Sequence, residues 1–222
     1  MNVPNILTVF RLLAALAVGL VFAYLPSPYA EWVALTLFVA AALTDYLDGY
    51  LARKWDQITN IGRMLDPIAD KAMVLVALLV IAVRMPYLGT GMDVLVPIIL
   101  ITFREVFVSG LREFLGEKAG RLKVTWLAKW KTTVQMLAIV VLFASFLLGH
   151  YYQALSWSLS NADLLAIREG DMEDEEDILW VMIAYDWGTI IGVWLLWLAA
   201  TLTVITGLDY FRKAVPVLRD VK

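Results

Sequence analysis

Apolar residues in this 222-residue chain arrive in blocks of about twenty, separated by short stretches of proline, glycine and charge. A helix needs about 20 such residues to cross the roughly 30 Å hydrocarbon core of a bilayer. Inside that core only helices and closed barrels satisfy their own backbone polar groups. The chain is therefore read as an all-α integral membrane protein. Six transmembrane helices are the simplest division, at about 5–25, 31–52, 63–84, 92–114, 129–149 and 187–210. The breaks are Pro26-Ser27-Pro28, the polar stretch from Lys54 to Asn60, Pro86 to Gly91, Gly116 to Lys123, and a long acidic segment at 150–186. With 61% hydrophobic and 18% charged residues, the composition excludes an ordinary soluble domain. The chain has no cysteine, which excludes disulfides and thiolate metal sites, and its one histidine, His150, reads as interfacial. Arg11 followed by an apolar run to Leu25 imitates a secretory leader, but the run ends in Pro26-Ser27-Pro28 without a small-x-small pattern. It is read as a retained first span, and residues 1–222 as a single membrane domain.

Orientation follows from basic residues, which concentrate on the cytoplasmic side of membrane proteins. Six spans put the N-terminus, the second and fourth loops and the C-terminus on one side. That side and its helix ends carry 16 of the 18 Lys and Arg residues; only Arg84 and Arg168 fall on the other. Both termini are expected to be cytoplasmic. The segment 150–186, with its run Glu173-Asp174-Glu175-Glu176-Asp177, falls outside and is expected to be a solvated, mobile loop. No internal repeat is visible, which argues against inverted-repeat transporters.

The segment from Asp45 to Asp70 holds the chemistry. It reads DYLDGYLARKWDQITNIGRMLDPIAD. Intramembrane carboxylates cost roughly 2.5–3.5 kcal/mol each on insertion scales, so Asp45, Asp48, Asp66 and Asp70 together call for a compensating cation. Asp45, Asp48, Gly49 and Ala52 recur at i, i+3, i+4 and i+7 and share a helix face. Asp66 and Asp70 share a face of the next helix, across a short loop. Four carboxylates converging from two helices form a hard oxygen site suited to Mg²⁺ or Mn²⁺. Two such ions about 4 Å apart would clamp a phosphoryl group. Gly49 and Ala52 leave room for a ligand, and Arg53 offers a guanidinium to a diphosphate. The alternatives are interfacial salt bridges with Arg53, Lys54, Arg63 and Lys71, or a metal-free proton relay. Neither accounts for the small residues on the same face.

The pattern Asp45-x2-Asp48-Gly49-x2-Ala52-Arg53-x8-Gly62-x3-Asp66-x3-Asp70 resembles the motif of the CDP-alcohol phosphatidyltransferase family at every defined position. The resemblance implies the family fold: six transmembrane helices, usually dimeric, around a cytoplasm-facing cavity. It implies that Asp45, Asp48, Asp66 and Asp70 bind two divalent ions and that Asp70 is also the general base. It implies that Gly49, Ala52, Arg53 and Thr59 surround the cytidine diphosphate of the donor, and that Asn5, in Val3-Pro4-Asn5-Ile6, belongs to the stretch closing over the nucleotide. A homodimer is the family expectation, and Gly188-x3-Gly192 offers a small-residue packing face.

A second block, Arg104-Glu105-Val106-Phe107-Val108-Ser109-Gly110-Leu111-Arg112-Glu113-Phe114, points to the acceptor. Arg104 and Arg112, eight apart, lie within about 80° of each other on a helix. With Lys129 and Lys131 they form a candidate basic pocket for an acceptor phosphate; Arg–Glu pairing and snorkelling lysines are the other reading. Pro4-Asn5-Ile6-Leu7-Thr8 with Arg11, Leu65 to Lys71, the Arg104–Phe114 block and Lys129 to Gln135 resemble one branch of the family, the bacterial phosphatidylglycerophosphate synthases. That implies transfer of a phosphatidyl group from CDP-diacylglycerol to the sn-1 hydroxyl of sn-glycerol 3-phosphate at a bacterial inner membrane. The segment 150–186 is longer and more acidic than that branch leads one to expect. Cardiolipin synthase and phosphatidylserine synthase are the alternatives within the family. A cation transporter is the alternative outside it, though it would need carboxylates through the outer half of the bundle.

Overall fold

The computed structural model describes residues 3–54, 59–85, 93–116, 126–174 and 177–219, which form seven helices and no strand. The side chains of residues 3, 4, 46–53 and 63 lie outside that description. Helix α1 spans Val3–Tyr24, α2 Tyr29–Lys54, α3 Asn60–Arg84, α4 Leu95–Leu115, α5 Trp126–Ser156, α6 Asn161–Glu169 and α7 Ile178–Arg219. The six long helices overlie the six apolar blocks, but α5 runs on past the end of its block to Ser156, and α7, Ile178–Arg219, extends well beyond its block at both ends. Three of them are long and apolar enough to cross a membrane by length and composition: Asn5–Tyr24, Trp126–Ser156 and Ile178–Leu218. Helices α3 and α4 are less apolar because they carry Asp66, Asp70 and Lys71, and Arg104, Glu105 and Arg112.

The faces turned away from the core are apolar too. Leu13, Leu16 and Leu20 on α1, and Phe103 and Val106 on α4, are all more than half exposed. Water would penalise such a surface, while lipid tails match it. This is a membrane protein.

Two groups of helices build the bundle. Helix α1 packs on α2 and α3, and α7 packs on α4 and α5. The groups meet where α2 touches α5 and where α3 touches α4 and α5. Phe143 of α5 sits at that junction, with the rings of Phe22 (5.8 Å) and Phe38 (5.7 Å) approaching edge to face. The most extensive contact is α5 against α7, and small residues make it close. A Cβ at Gly192 would stand 2.6 Å from Leu142 Cδ2, and one at Gly188 would stand 2.7 Å from Ser145 Oγ. The Gly188-x3-Gly192 face is thus filled by α5 of the same chain.

The end of the bundle remote from the aspartates is tied by charge. Glu31, buried at the start of α2, accepts from Arg84 at the end of α3 and from the Ser27 hydroxyl at 2.6 Å. Arg84 also lies 5.2 Å from the Phe22 ring centroid. One of the two basic residues on this side is therefore neutralised locally.

The acidic segment differs from the expected mobile loop. Helix α5 runs on to Ser156, α7 begins at Ile178, and α6 stands between them. The reason is capping chemistry. The Ser160 hydroxyl accepts from Asp163 N–H at 3.2 Å, and the Asp163 carboxylate accepts from Ser160 N–H at 2.8 Å. The Ser160 side chain foremost, and then the Ser160 N–H, act on the Asp163 carboxyl and hold it below its usual range. Gly170 ends the helix in the left-handed region, at φ 83°. Asp174 then caps α7, accepting from Ile178 N–H at 2.8 Å and Leu179 N–H at 2.9 Å.

Candidate active site

Asp45 near the end of α2 and Asp66 and Asp70 in the first turns of α3 stand at one end of the bundle, against the start of α1. Their joint partner is α1. Arg11, only 2% exposed, places one guanidinium nitrogen 2.6 Å from Asp45 Oδ1 and also donates it to Asp70 Oδ1. One turn earlier, the Thr8 hydroxyl donates to Asp66 Oδ1 at 2.7 Å. Thr8, Arg11, Ala15 and Val18 are all buried, at the i, i+3, i+7 and i+10 spacing of one helix face. That face carries both the polar contacts and the packing against α2 and α3.

The donor set fits a hard divalent cation. Two carboxylate oxygens from different helices meet at a single positively charged atom, and both side chains are about half exposed, 54% for Asp45 and 51% for Asp70. Among the described residues no group of three or more His, Cys, Asp or Glu side chains gathers closely enough to hold a metal ion. The fourth predicted carboxylate, Asp48, has its side chain outside the described residues, as do Gly49, Ala52 and Arg53, although their backbone continues α2.

Asn5 and Thr59, predicted to contact the nucleotide, come together. The Thr59 hydroxyl donates to Asn5 Oδ1 at 2.8 Å and accepts from Gly62 N–H at 3.0 Å, so Thr59 is the N-cap of α3. Gly62 is needed for this approach, since a Cβ there would stand 2.9 Å from Asn5 Oδ1 and 3.3 Å from Thr59 Oγ1. These three residues fix the N-terminus of α1 against the start of α3.

A cavity of about 430 Å³ opens beside the aspartates, where α3 of one helix group meets α4, α5 and α7 of the other. Its walls bring Asp66 and Asp70 together with Arg104, Arg112 and Lys131. On α5 the lining positions are Ala128, Lys131, Thr132 and Gln135, the i, i+3, i+4 and i+7 face. Lys129 is exposed and does not line the cavity, because a two-residue step turns a helical side chain about 200° away. Of the two lysines predicted for the pocket, the structure brings only Lys131 to it.

The basic wall is partly neutralised. Glu105 Oε1 accepts from Lys131 Nζ and, at 3.2 Å, from Arg104 Nη1. Arg–Glu pairing and cavity lining therefore hold at once. Lys131 is buried, and Glu105 supplies the carboxylate that makes a cation tolerable there. The Arg112 guanidinium lies 5.6 Å from the Tyr210 ring centroid. The Arg104 stem crosses Gly207 of α7, where a Cβ would stand 2.9 Å from Arg104 Cγ. The sequence reading has Thr8, Arg11, Glu105 and Gln135 inside the matching stretches and raises Arg–Glu pairing for the α4 block, but it gives Thr8, Arg11, Gln135 and Tyr210 no contact of their own. A charge inside an apolar block is the physical signal that marks Arg11.

The family model described as CDP-alcohol phosphatidyltransferase matches residues 1–165. A CDP-diacylglycerol–glycerol-3-phosphate 3-phosphatidyltransferase of Cereibacter sphaeroides is 50% identical over 230 residues, covering 100% of this chain and 99% of its own length. A protein of the same name from Rickettsia bellii is 36% identical over 211 residues, covering 95% of this chain and 94% of its own length. One from Haemophilus influenzae is 42% identical over 140 residues, covering 62% of this chain and 73% of its own length. The matched residues include all four aspartates, the α1 residues that hold three of them and the cavity walls of α3, α4 and α5. The chain belongs to the CDP-alcohol phosphatidyltransferase family.

Proposed function

We propose that this protein transfers the phosphatidyl group of CDP-diacylglycerol to the sn-1 hydroxyl of sn-glycerol 3-phosphate, giving phosphatidylglycerophosphate and CMP. The observation that carries this reading is the single cavity that joins Asp70 to Arg104, Arg112 and Lys131. A carboxylate able to take a proton stands at one wall, and cations suited to a phosphate-bearing acceptor stand at the others. Relatives bearing that enzyme name and aligning along almost the whole chain support it.

Asp45, Asp48, Asp66 and Asp70 would hold two divalent ions, Mg²⁺ or Mn²⁺. When bound, these supply positive charge to the donor diphosphate as CMP leaves. Asn5, Gly49, Ala52, Arg53 and Thr59 surround the cytidine diphosphate in this reading. Arg104, Arg112 and Lys131 draw in the acceptor phosphate. Asp70 accepts the proton of the acceptor's primary hydroxyl. The hydroxyl oxygen forms a bond to the lipid-linked phosphorus in line with the breaking bond to CMP. The acyl chains remain in the bilayer against the apolar outer faces. The active site and both termini face the cytoplasm of a bacterial inner membrane, and the working unit is a homodimer.

Purified protein offered CDP-diacylglycerol and Mg²⁺ with each acceptor separately tests the reaction. Incorporation from glycerol 3-phosphate, and not from phosphatidylglycerol or serine, is expected. Preference for either of the others would reassign the enzyme to cardiolipin or phosphatidylserine synthesis. Asp70→Asn should abolish transfer while CDP-diacylglycerol binding and fold persist, and turnover at the wild-type rate would remove Asp70 as the base.

A further inference from the structure

Glu105 sits among the cations that α4 and α5 present to the cavity. Its Oε1 accepts from Lys131 Nζ and, at 3.2 Å, from Arg104 Nη1, and all three side chains line the same space. One carboxylate oxygen thus occupies the point on which two of the three cations of α4 and α5 converge. The third, Arg112, lies over the Tyr210 ring and forms no ion pair among the described residues. Asp209 also lines the cavity, but it pairs with Lys213 at 2.6 Å.

The carboxylate also has somewhere else to turn. A second space of about 330 Å³ lies between α3 and α4, and Glu105 and Lys71 are the two residues that line both it and the cavity. Lys71 forms no ion pair among the described residues. A phosphate monoester near neutral pH carries between one and two negative charges and takes charge-assisted hydrogen bonds from the same donors that a carboxylate does. Two anions at one pair of cations repel each other. Phosphate and Glu105 therefore compete for Arg104 and Lys131.

We propose that Glu105 is a built-in stand-in for the acceptor phosphate. It holds Arg104 and Lys131 while the cavity is empty, yields them to the incoming phosphate, and takes them back as the product leaves. The inference rests on the proposed acceptor and names the group that regulates its subsite. The need for such a group follows from the reaction. The product keeps the phosphate monoester of the acceptor, so every contact that holds one holds the other. Binding shared in this way does not speed the chemical step. A competing anion weakens both and lets the subsite empty. Glu105 is in this sense a positioning residue, acting through the cations it releases.

The probe is inorganic phosphate, titrated calorimetrically into full-length, detergent-solubilised protein without added divalent ion. Glu105→Gln keeps the shape of the side chain and should bind phosphate about tenfold more tightly than the wild type. Arg104 stays charged at any working pH, so the vacated position keeps a cation. In the transfer assay the same variant should show a lower KM for glycerol 3-phosphate and stronger inhibition by phosphatidylglycerophosphate. A Glu105 that serves only to make a buried lysine tolerable predicts otherwise: phosphate binding unchanged or weakened, and either result would overturn the proposal. Should Glu105→Gln fail to fold, Lys131→Met and the double variant Lys131→Met/Glu105→Gln supply the comparison, with no buried lysine left unpaired. The double variant should bind phosphate more tightly than Lys131→Met, and equal or weaker binding would again refute the exchange. Phosphate binding is read without turnover, which separates the two readings. If it tightens as expected but no glycerol 3-phosphate is incorporated, the proposed reaction falls and the exchange of Glu105 for phosphate stands. If glycerol 3-phosphate is incorporated and phosphate binding does not tighten, only this inference falls.

Discussion

Arg11 donates to Asp45 and Asp70 from a side chain that is itself almost wholly buried, while both carboxylates keep about half their surface in solvent. The desolvation cost therefore falls on the arginine, and the carboxylates stay free enough to accept another cation. Replacing Arg11 by Met should destabilise the bundle by about 2 kcal/mol, below the usual loss for a fully buried pair because its partners remain hydrated. Mg²⁺ should then raise the melting temperature of Arg11→Met more than that of the wild type, since the ion takes over the missing charge. Equal Mg²⁺ responses in detergent-solubilised protein would show that the arginine and the metal do not share these oxygens. Among single residues, the sequence exposes charge best. Asp45, Asp66 and Asp70 announce themselves by being expensive in an apolar chain, and Arg104 and Arg112 by their eight-residue step. Glu105 as the common partner of Arg104 and Lys131 is not legible, because the pairing spans 26 residues and depends on how α4 lies against α5. Gln135 and Thr8 are neutral polar residues that share helix faces with Lys131 and Arg11, and only their surroundings give them meaning.

Helices show the same division between periodicity, which the sequence carries, and partners, which it does not. The six apolar blocks predict the long helices to within a few residues at most ends. They also contain enough to separate Lys129 from Lys131, because a two-residue step cannot share a helix face. Helix α6 was concealed by its acidity, yet Ser160, Asp163 and Gly170 are a start and stop written in ordinary capping chemistry. The Gly188-x3-Gly192 pair announces a close approach without naming the neighbour, and the neighbour is α5. At that seam Gly192→Ala should cost about 1–3 kcal/mol, since the new methyl meets Leu142 within van der Waals distance. Leu142→Ala alone should also destabilise, by leaving a void. Combined, the two changes should cost less than their sum, and strict additivity in thermal melts would remove the steric account.

At the scale of the whole molecule, the cavity belongs to neither helix group. Asp66 and Asp70 come from α3, and Arg104, Arg112 and Lys131 from α4 and α5, so the carboxylates and the cations meet only when the groups are docked. The docking rests on the apolar junction around Phe143 and on α3 against α4. Chelation with EDTA should therefore silence transfer while moving the melting temperature by no more than about 2 °C, less than the shift that follows from losing 1 kcal/mol in a domain of this size. A collapse of the melt on chelation would mean that the metal is part of the scaffold. The placement of Arg11 on the first helix has a consequence for how the protein is made. The chain is synthesised from its N-terminus, so the guanidinium enters the bilayer region before Asp45 or Asp70 has left the ribosome. Each aspartate, as it emerges, meets a cation already waiting, and the newborn bundle can close around its own charges without drawing on the magnesium of the cell.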